Sequence, residues 1–412
     1  MTASAENIAA ILLDMIGSAS RVDGAALAAF TDQHWQQLDM MARQHRLQPL
    51  LHSQKQSVGS GWPVPQWAVD RWHDANRQAA MRALNYQSVL VGITRTLGAE
   101  GIEFAALKGA WLAWNAYPNP AVRTMRDIDI VVDPAKAMDA FAALDASGLK
   151  MREHQTVPIE FALANHKHLP PLWAAKQQVA VELHTRLVEI VQTRTGPDSF
   201  DNPVRLLANS DKRDVAGVSI PYLAATDTLL HIIIHSAYDH RFNNGPMVLN
   251  DIAGLLSRFV VEWPRFWAMA ADGGWTRGCA LLFDLTERYH GQLPIDWLGV
   301  VRGATPDAVL DDAAQMMLQD GSQRGTVALW TEIRGASGIA ALWTIVATRF
   351  NMPRHVIMAY NGAAADAPWR WWYFPKWVVG RGWQMVRGAF DRRVRADASR
   401  GATADQWMNA AA

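Results

Sequence analysis

Arg126-Asp127-Ile128-Asp129-Ile130-Val131-Val132-Asp133 is the stretch on which the reading of this chain turns. Its run of β-branched residues predicts a strand. Residues two apart on a strand share a face, so Asp127 and Asp129 stand side by side while Ile128 and Ile130 turn to a core. Two carboxylates held that close repel, and the repulsion is tolerable mainly when a cation sits between them. Hard Mg²⁺, which prefers oxygen ligands, suits such a pair where nucleotide phosphates are handled. A solvated strand edge is the plain alternative, and the flanking sequence has to decide.

Upstream lies Phe104-Ala-Ala-Leu-Lys-Gly-Ala-Trp-Leu112. It reads as a strand within 102–107, a Lys108-Gly109 turn, and a helix from near Ala110. Glycine at such a turn lets backbone approach a ligand, and a helix N-terminus offers free N–H groups to an anion. Lys108 adds a point charge, although Gly109 also fits a simple tight turn. Downstream, Val179-Ala-Val-Glu-Leu-His184 reads as a strand with Glu182 on one face and Val181 and Leu183 on the other. A third carboxylate is what a two-metal phosphoryl-transfer site requires. A surface strand residue is the bland account of Glu182.

Around this core of motifs, residues from about 5 to 100 carry helical spacing, as in Trp35, Leu38, Met41 and Leu47, with the turn-rich segment 57–65 between two helical blocks. Helical spacing returns beyond about 222, where Thr226 or Asp227 is placed to cap a helix. The expectation is therefore an α+β chain with a small mixed sheet between two helical lobes, divided as 1–98, 99–220 and 221–412. The 412 residues, half of them hydrophobic, suffice for two to three lobes at ~100–200 residues each. Lys plus Arg and Asp plus Glu both number 39, so no overall field draws the chain to nucleic acid. The single cysteine, Cys279, excludes an internal disulfide and is expected as a buried small residue in a reducing compartment. Glu6 and Asp14 interrupt the N-terminal apolar stretch, so no signal peptide is predicted and a cytoplasmic location is expected.

In order along the chain come Leu107-Lys-Gly, Tyr117-Pro, Arg123, Asp127-Ile-Asp-Ile-Val-Val, His166-Lys-His-Leu-Pro-Pro171 and Val181-Glu-Leu-His184. This ordered set resembles the uncharacterised bacterial nucleotidyltransferase family, itself similar to a distant branch of the DNA polymerase beta-type superfamily. The likeness spans about 30 to 260, including Met40 to Leu50 upstream and His231, His235 and Asp251-Ile-Ala downstream. It implies that Asp127, Asp129 and Glu182 are catalytic metal ligands for magnesium, or manganese in its place. It implies also that the Lys108-Gly109 turn holds a nucleoside triphosphate, ATP first among them, and that His166, His168, His184 and His235 bind the acceptor or support Glu182. Most members of the wider superfamily carry Gly-Ser where this chain has Lys-Gly, so a hydroxyl contact to phosphate is missing. Arg123 or Arg126 is placed to compensate, since a guanidinium grips phosphate through two hydrogen bonds, unless either pairs with a carboxylate.

Three further features stand beside this reading. His166, His168 and His184 are spaced as a zinc site would need, and His231 and His235 share a helix face. Between Trp369 and Arg400 the neutral chain turns basic and aromatic, with eight Lys or Arg against two Asp. A terminal helix with solvated arginines, a membrane-interface helix through 369–395 and a single-stranded nucleic-acid platform all fit that composition. The activity expected is transfer of a nucleotidyl group to a small-molecule, sugar-type, or peptide or protein acceptor. A catalytically silent nucleotide-binding scaffold and a toxin-like transferase acting on tRNA are the alternatives.

Overall fold

Periodic apolar residues such as Trp35, Leu38 and Ala42 bury one face of each helix in the N-terminal part of the chain. The helices are α1 (Ala5–Ile16), α2 (Gly24–Ala28), α3 (Asp32–Gln44), α4 (Gln48–Val58) and the long α5 (Gln66–Ala99). The computed structural model describes residues 5–18, 22, 24–152, 157–189, 199–336, 338–350, 352–363 and 368–410, so residues 1–4 of the N-terminal stretch lie outside it. Buried Asp39 fastens this lobe, accepting from Gln48 Nε2 at 2.7 Å, Arg71 Nη1 at 2.6 Å and Trp72 Nε1 at 3.0 Å. Those three bonds tie α3 to α4 and α5.

The central part alternates strands and helices: β1 (Phe104–Ala106), α6 (Lys108–Asn115), β2 (Asp127–Val132), α7 (Ala137–Ala146), β3 (Lys150–Met151), α8 (Ile159–Asn165), β4 (Leu172–Ala174), β5 (Val179–His184), α9 (Pro203–Ala208), β6 (Asp211–Val215) and β7 (Val218–Tyr222). Among the described residues these strands make one mixed sheet in the order β3-β4-β5-β2-β1-β7-β6. β2 therefore runs through the middle, antiparallel to β1 and parallel to β5. Its bounds are those the alternation predicts. β1 is shorter than expected, and α6 begins at Lys108 rather than Ala110 because Lys108 itself takes up the turn, at φ 39°.

The rest is helical: α10 (Ala225–Ile234), a π-turn at His235–Asp239, then α11 (Met247–Leu256), α12 (Trp263–Gly273), α13 (Thr276–His290), α14 (Asp307–Met317), α15 (Arg324–Gly335), α16 (Ile339–Phe350), α17 (Arg354–Tyr360), α18 (Tyr373–Phe390) and α19 (Arg392–Asn409). Neither Thr226 nor Asp227 caps α10, whose N-cap is Ala224. Asp227 is instead buried between Arg205 and Arg265, at 3.2 and 2.6 Å, and Thr226 Oγ1 accepts from the Glu262 N–H. Paired guanidiniums outcompete a backbone cap for a buried carboxylate. No helix among the described residues is long and apolar enough to cross a membrane.

One buried cluster joins the sheet domain to the C-terminal helices. Arg123 donates through Nε and Nη2 to the two oxygens of Asp251 on α11, at 3.2 and 3.0 Å, while Tyr117 Oη donates to Oδ1 at 2.8 Å. Removing one partner of such a pair strands the other charge away from water. Asp251→Ala is expected to cost about 3–5 kcal/mol of folding stability, read as a lowered denaturant midpoint.

Candidate active site

The register of β2 against β5 builds the site. Asp129 stands directly opposite Glu182, Asp127 opposite Ala180, and Val131 opposite His184. Paired residues of parallel strands point to the same face, so both aspartates, Glu182 and His184 project from one side of the sheet. The alternate residues Ile128, Ile130, Val181 and Leu183 are buried on the other side. From the end of β1 the chain turns into α6 through Lys108, whose left-handed backbone is a strained conformation for a non-glycine residue. The turn sends Lys108 Nζ back to donate to Asp129 Oδ1 at 2.8 Å. His184 Nε2 meets the same oxygen from β5, also at 2.8 Å.

Lys167 to Leu169 extends the sheet beside the end of β5, through Leu169 N–H to Leu183 O and Thr185 N–H to Lys167 O, each at 2.9 Å. His168 is thereby set next to His184, and its Nε2 lies 3.8 Å from Glu182 Oε2 while Nδ1 donates to the Leu169 carbonyl at 2.9 Å. Among the described residues, Asp129, Glu182 and His184 form the group whose ligand atoms all lie within 4.8 Å of one another. Asp127 is outside that group, one step along β2 toward the cleft mouth.

Crowded carboxylates divide their protons unequally. Burial, reinforced by the charges of Asp129 and Glu182, pushes Asp127 up to about 7. Burial also works against the Asp129 carboxylate, but Lys108 and His184 outweigh it and hold that group well below the usual range. Glu182 is lowered despite its burial, chiefly by the hydrogen bond from His184. The donor set, three carboxylates with hard oxygens, fits a divalent cation, whose charge would offset both the burial of Asp127 and its repulsion by Asp129 and Glu182.

The cleft in front of these groups has a volume of about 490 Å³. His45 and Arg46, from the α3–α4 junction, line it together with Arg126. Among the described residues neither Arg46 nor Arg126 pairs with a carboxylate, whereas Arg123 is taken by Asp251. Arg123 packs against α6 at Gly109, where an added Cβ would meet Arg123 Nη1 at 2.8 Å. The opposite wall is the π-turn, where Asp239 Oδ2 accepts from Lys167 Nζ at 2.5 Å and lies 3.4 Å from His235 Nδ1. Burial and the nearby Lys108 push His235 down to about 4.

Of the histidines singled out from sequence, His168, His184 and His235 reach the site. His166 does not: it is exposed and its ring packs on Phe161, so the three histidines of the zinc alternative are not gathered. His231 is buried behind His235, ring centroids 6.2 Å apart. Sequence reasoning passed over His45, Arg46, Lys167, Asp239 and His240 as site residues. Lys167 lies between two histidines that drew attention to themselves, and His45-Arg46 sits at a helix junction inside the resembling segment.

The state of Asp127 sets a pH dependence. A carboxyl that keeps its proton in the folded chain up to about 7, and loses it near 3.8 when unfolded, makes the metal-free fold progressively less stable as pH rises from about 4 to about 7. His235, lowered to about 4, acts in the opposite sense over part of that window. The two separate by substitution: Asp127→Asn should remove the alkaline loss, so that its melting temperature gains on that of the wild type between pH 5 and about 8 in chelator.

Comparison with curated proteins and with solved structures finds no match. The family described as uncharacterised nucleotidyltransferase matches residues 31–291, well over half of the chain, and takes in every group that lines the cleft. With Asp127, Asp129 and Glu182 held on adjacent strands, the chain belongs to this uncharacterised nucleotidyltransferase family.

Proposed function

We propose that the protein is a metal-dependent nucleotidyltransferase that moves a nucleoside monophosphate group from a nucleoside triphosphate, ATP first, to a small-molecule, sugar-type or peptide acceptor. The observation that carries this reading is the matched register of Asp129 and Glu182, with Asp127 on the same face, in a cleft that also holds free guanidinium groups. Asp127, Asp129 and Glu182 would hold Mg²⁺ or Mn²⁺, which supplies charge neutralisation at the phosphates and an activated acceptor oxygen.

The chain's own residues do the rest. Arg46 and Arg126 bind the triphosphate in place of the missing serine hydroxyl, because Arg123 is engaged by Asp251. The first N–H groups of α6 add backbone donors beside Lys108. Lys108 and His184 keep Asp129 ionised and aimed. On the far wall neutral His235, whose Nδ1 lies 3.4 Å from Asp239 Oδ2, offers a ring nitrogen to accept a hydrogen bond, and then the proton, from an acceptor hydroxyl. The acceptor oxygen attacks the α-phosphorus in line and pyrophosphate leaves, with positioning and charge supplying most of the acceleration. Buried, unpaired Cys279 is in keeping with work in a reducing cytoplasm.

The test is a thermal-shift and calorimetric comparison of ATP, GTP, CTP and UTP with and without Mg²⁺. One triphosphate at about a hundred times its Kd should stabilise the wild type by about 2.7 kcal/mol, with metal, and leave an Asp127→Asn/Asp129→Asn double variant unshifted. Once an acceptor is in hand, Asp129→Asn should lower kcat by roughly 10²–10³-fold or more. A chain that no triphosphate stabilises under any metal condition has no working nucleotide site, which overturns the transferase reading; one that is stabilised but turns over no acceptor is the silent scaffold.

A further inference from the structure

Away from the cleft, helix α18 presents two unlike faces. Tyr373 and Trp377 are buried and pack with Ile357 and Met358 of α17 in a small core of their own. Gly380 continues that inner face: a Cβ there would displace the end of the Tyr360 side chain on α17. The outer face carries Trp372, Lys376, Val379, Trp383 and Phe390, at spacings of four, three, four and seven. These spacings form one stripe along a helix.

That stripe is open to solvent: Val379 is 70% exposed, Trp383 60% and Phe390 80%, with Trp371 at 78% beside its N-terminal end. Arg370 lies 5.4 Å from the ring centre of exposed Trp372, a cation on an aromatic face. From Pro368 to Phe390 the sequence holds four Lys or Arg and no Asp or Glu, in a chain whose charges balance as a whole.

We infer that the outer face of α18 is a docking surface for an anionic lipid bilayer, on which the helix lies flat with Trp372, Trp383 and Phe390 at the level of the headgroups. Tryptophan suits that layer because its ring is apolar and its N–H is polar. The four cations of this segment, with no acidic residue among them in sequence, supply the charge complementarity, and no helix among the described residues is long and apolar enough to cross a membrane. The inference stands apart from the transfer reaction and does not depend on it.

The experiment is flotation of the purified full-length chain with vesicles of phosphatidylglycerol and phosphatidylcholine, and with phosphatidylcholine alone, at low and high salt. Binding to the anionic vesicles that weakens at high salt is expected. Trp383→Glu, and separately Phe390→Glu, should each weaken it by roughly tenfold or more with melting temperature unchanged, since both positions are exposed. Absence of binding to anionic vesicles, or equal binding by folded variants, overturns the inference. So does a dimer in light scattering that the same two variants dissociate, which would assign the face to a second copy of the chain.

Discussion

Three carboxylates on one face of two adjacent strands repel one another, and much of the central architecture is arranged around that repulsion. β2 occupies the middle of the sheet, so its cleft-facing residues are flanked on both sides. Asp129, the most enclosed, is approached by Lys108 from the β1 side and by His184 from the β5 side, on the same oxygen. Lys108 reaches it only because the backbone accepts a left-handed turn at the start of α6. Asp127, buried first of all and then crowded by Asp129 and Glu182, is pushed up to about 7.

The helical lobes complete this centre by supplying what the sheet lacks. Arg46 is carried at the α3–α4 junction, itself in a left-handed conformation, by a lobe that Asp39 fastens through three buried hydrogen bonds. On the other side the π-turn widens the end of α10 by one residue, closed by the His240 N–H to His235 carbonyl bond at 3.2 Å. The wider turn brings His235 and Asp239 onto one side of the chain, where Lys167 fixes the carboxylate. The far wall thus holds its groups by buried polar pairing, whereas Arg46 is carried on a turn whose flanking helices are pinned by Asp39.

How far the site was legible in the sequence follows from the range of each interaction. Asp127, Asp129 and Glu182 were visible because strand alternation is a local pattern and β2 is long and regular. The fate of Arg123 was not, since its partner Asp251 lies 128 residues away and nothing near Arg123 marks it. Asp227 read as a helix cap because caps are local; Arg205 and Arg265, which claim it, are tertiary neighbours. The β6–β7 hairpin escaped notice because β6, Asp-Lys-Arg-Asp-Val, is an edge strand whose outward charges hide any alternation, as edge strands must to avoid pairing with other chains. Its turn, Ala216-Gly217 with both residues at positive φ, was the available signal.

The balance of charges in the cleft also bears on what it accommodates. Lys108 is matched by Asp129, Lys167 by Asp239 and Arg123 by Asp251, each within 3.0 Å. Arg46 and Arg126 are left as cations without a carboxylate partner among the described residues lining it. A nucleic-acid backbone is held by many phosphate contacts spread along a surface, each releasing a counterion. Two guanidiniums and one helix N-terminus line a single mouth instead. That local excess of positive charge is invisible in the net charge, which is zero for the chain.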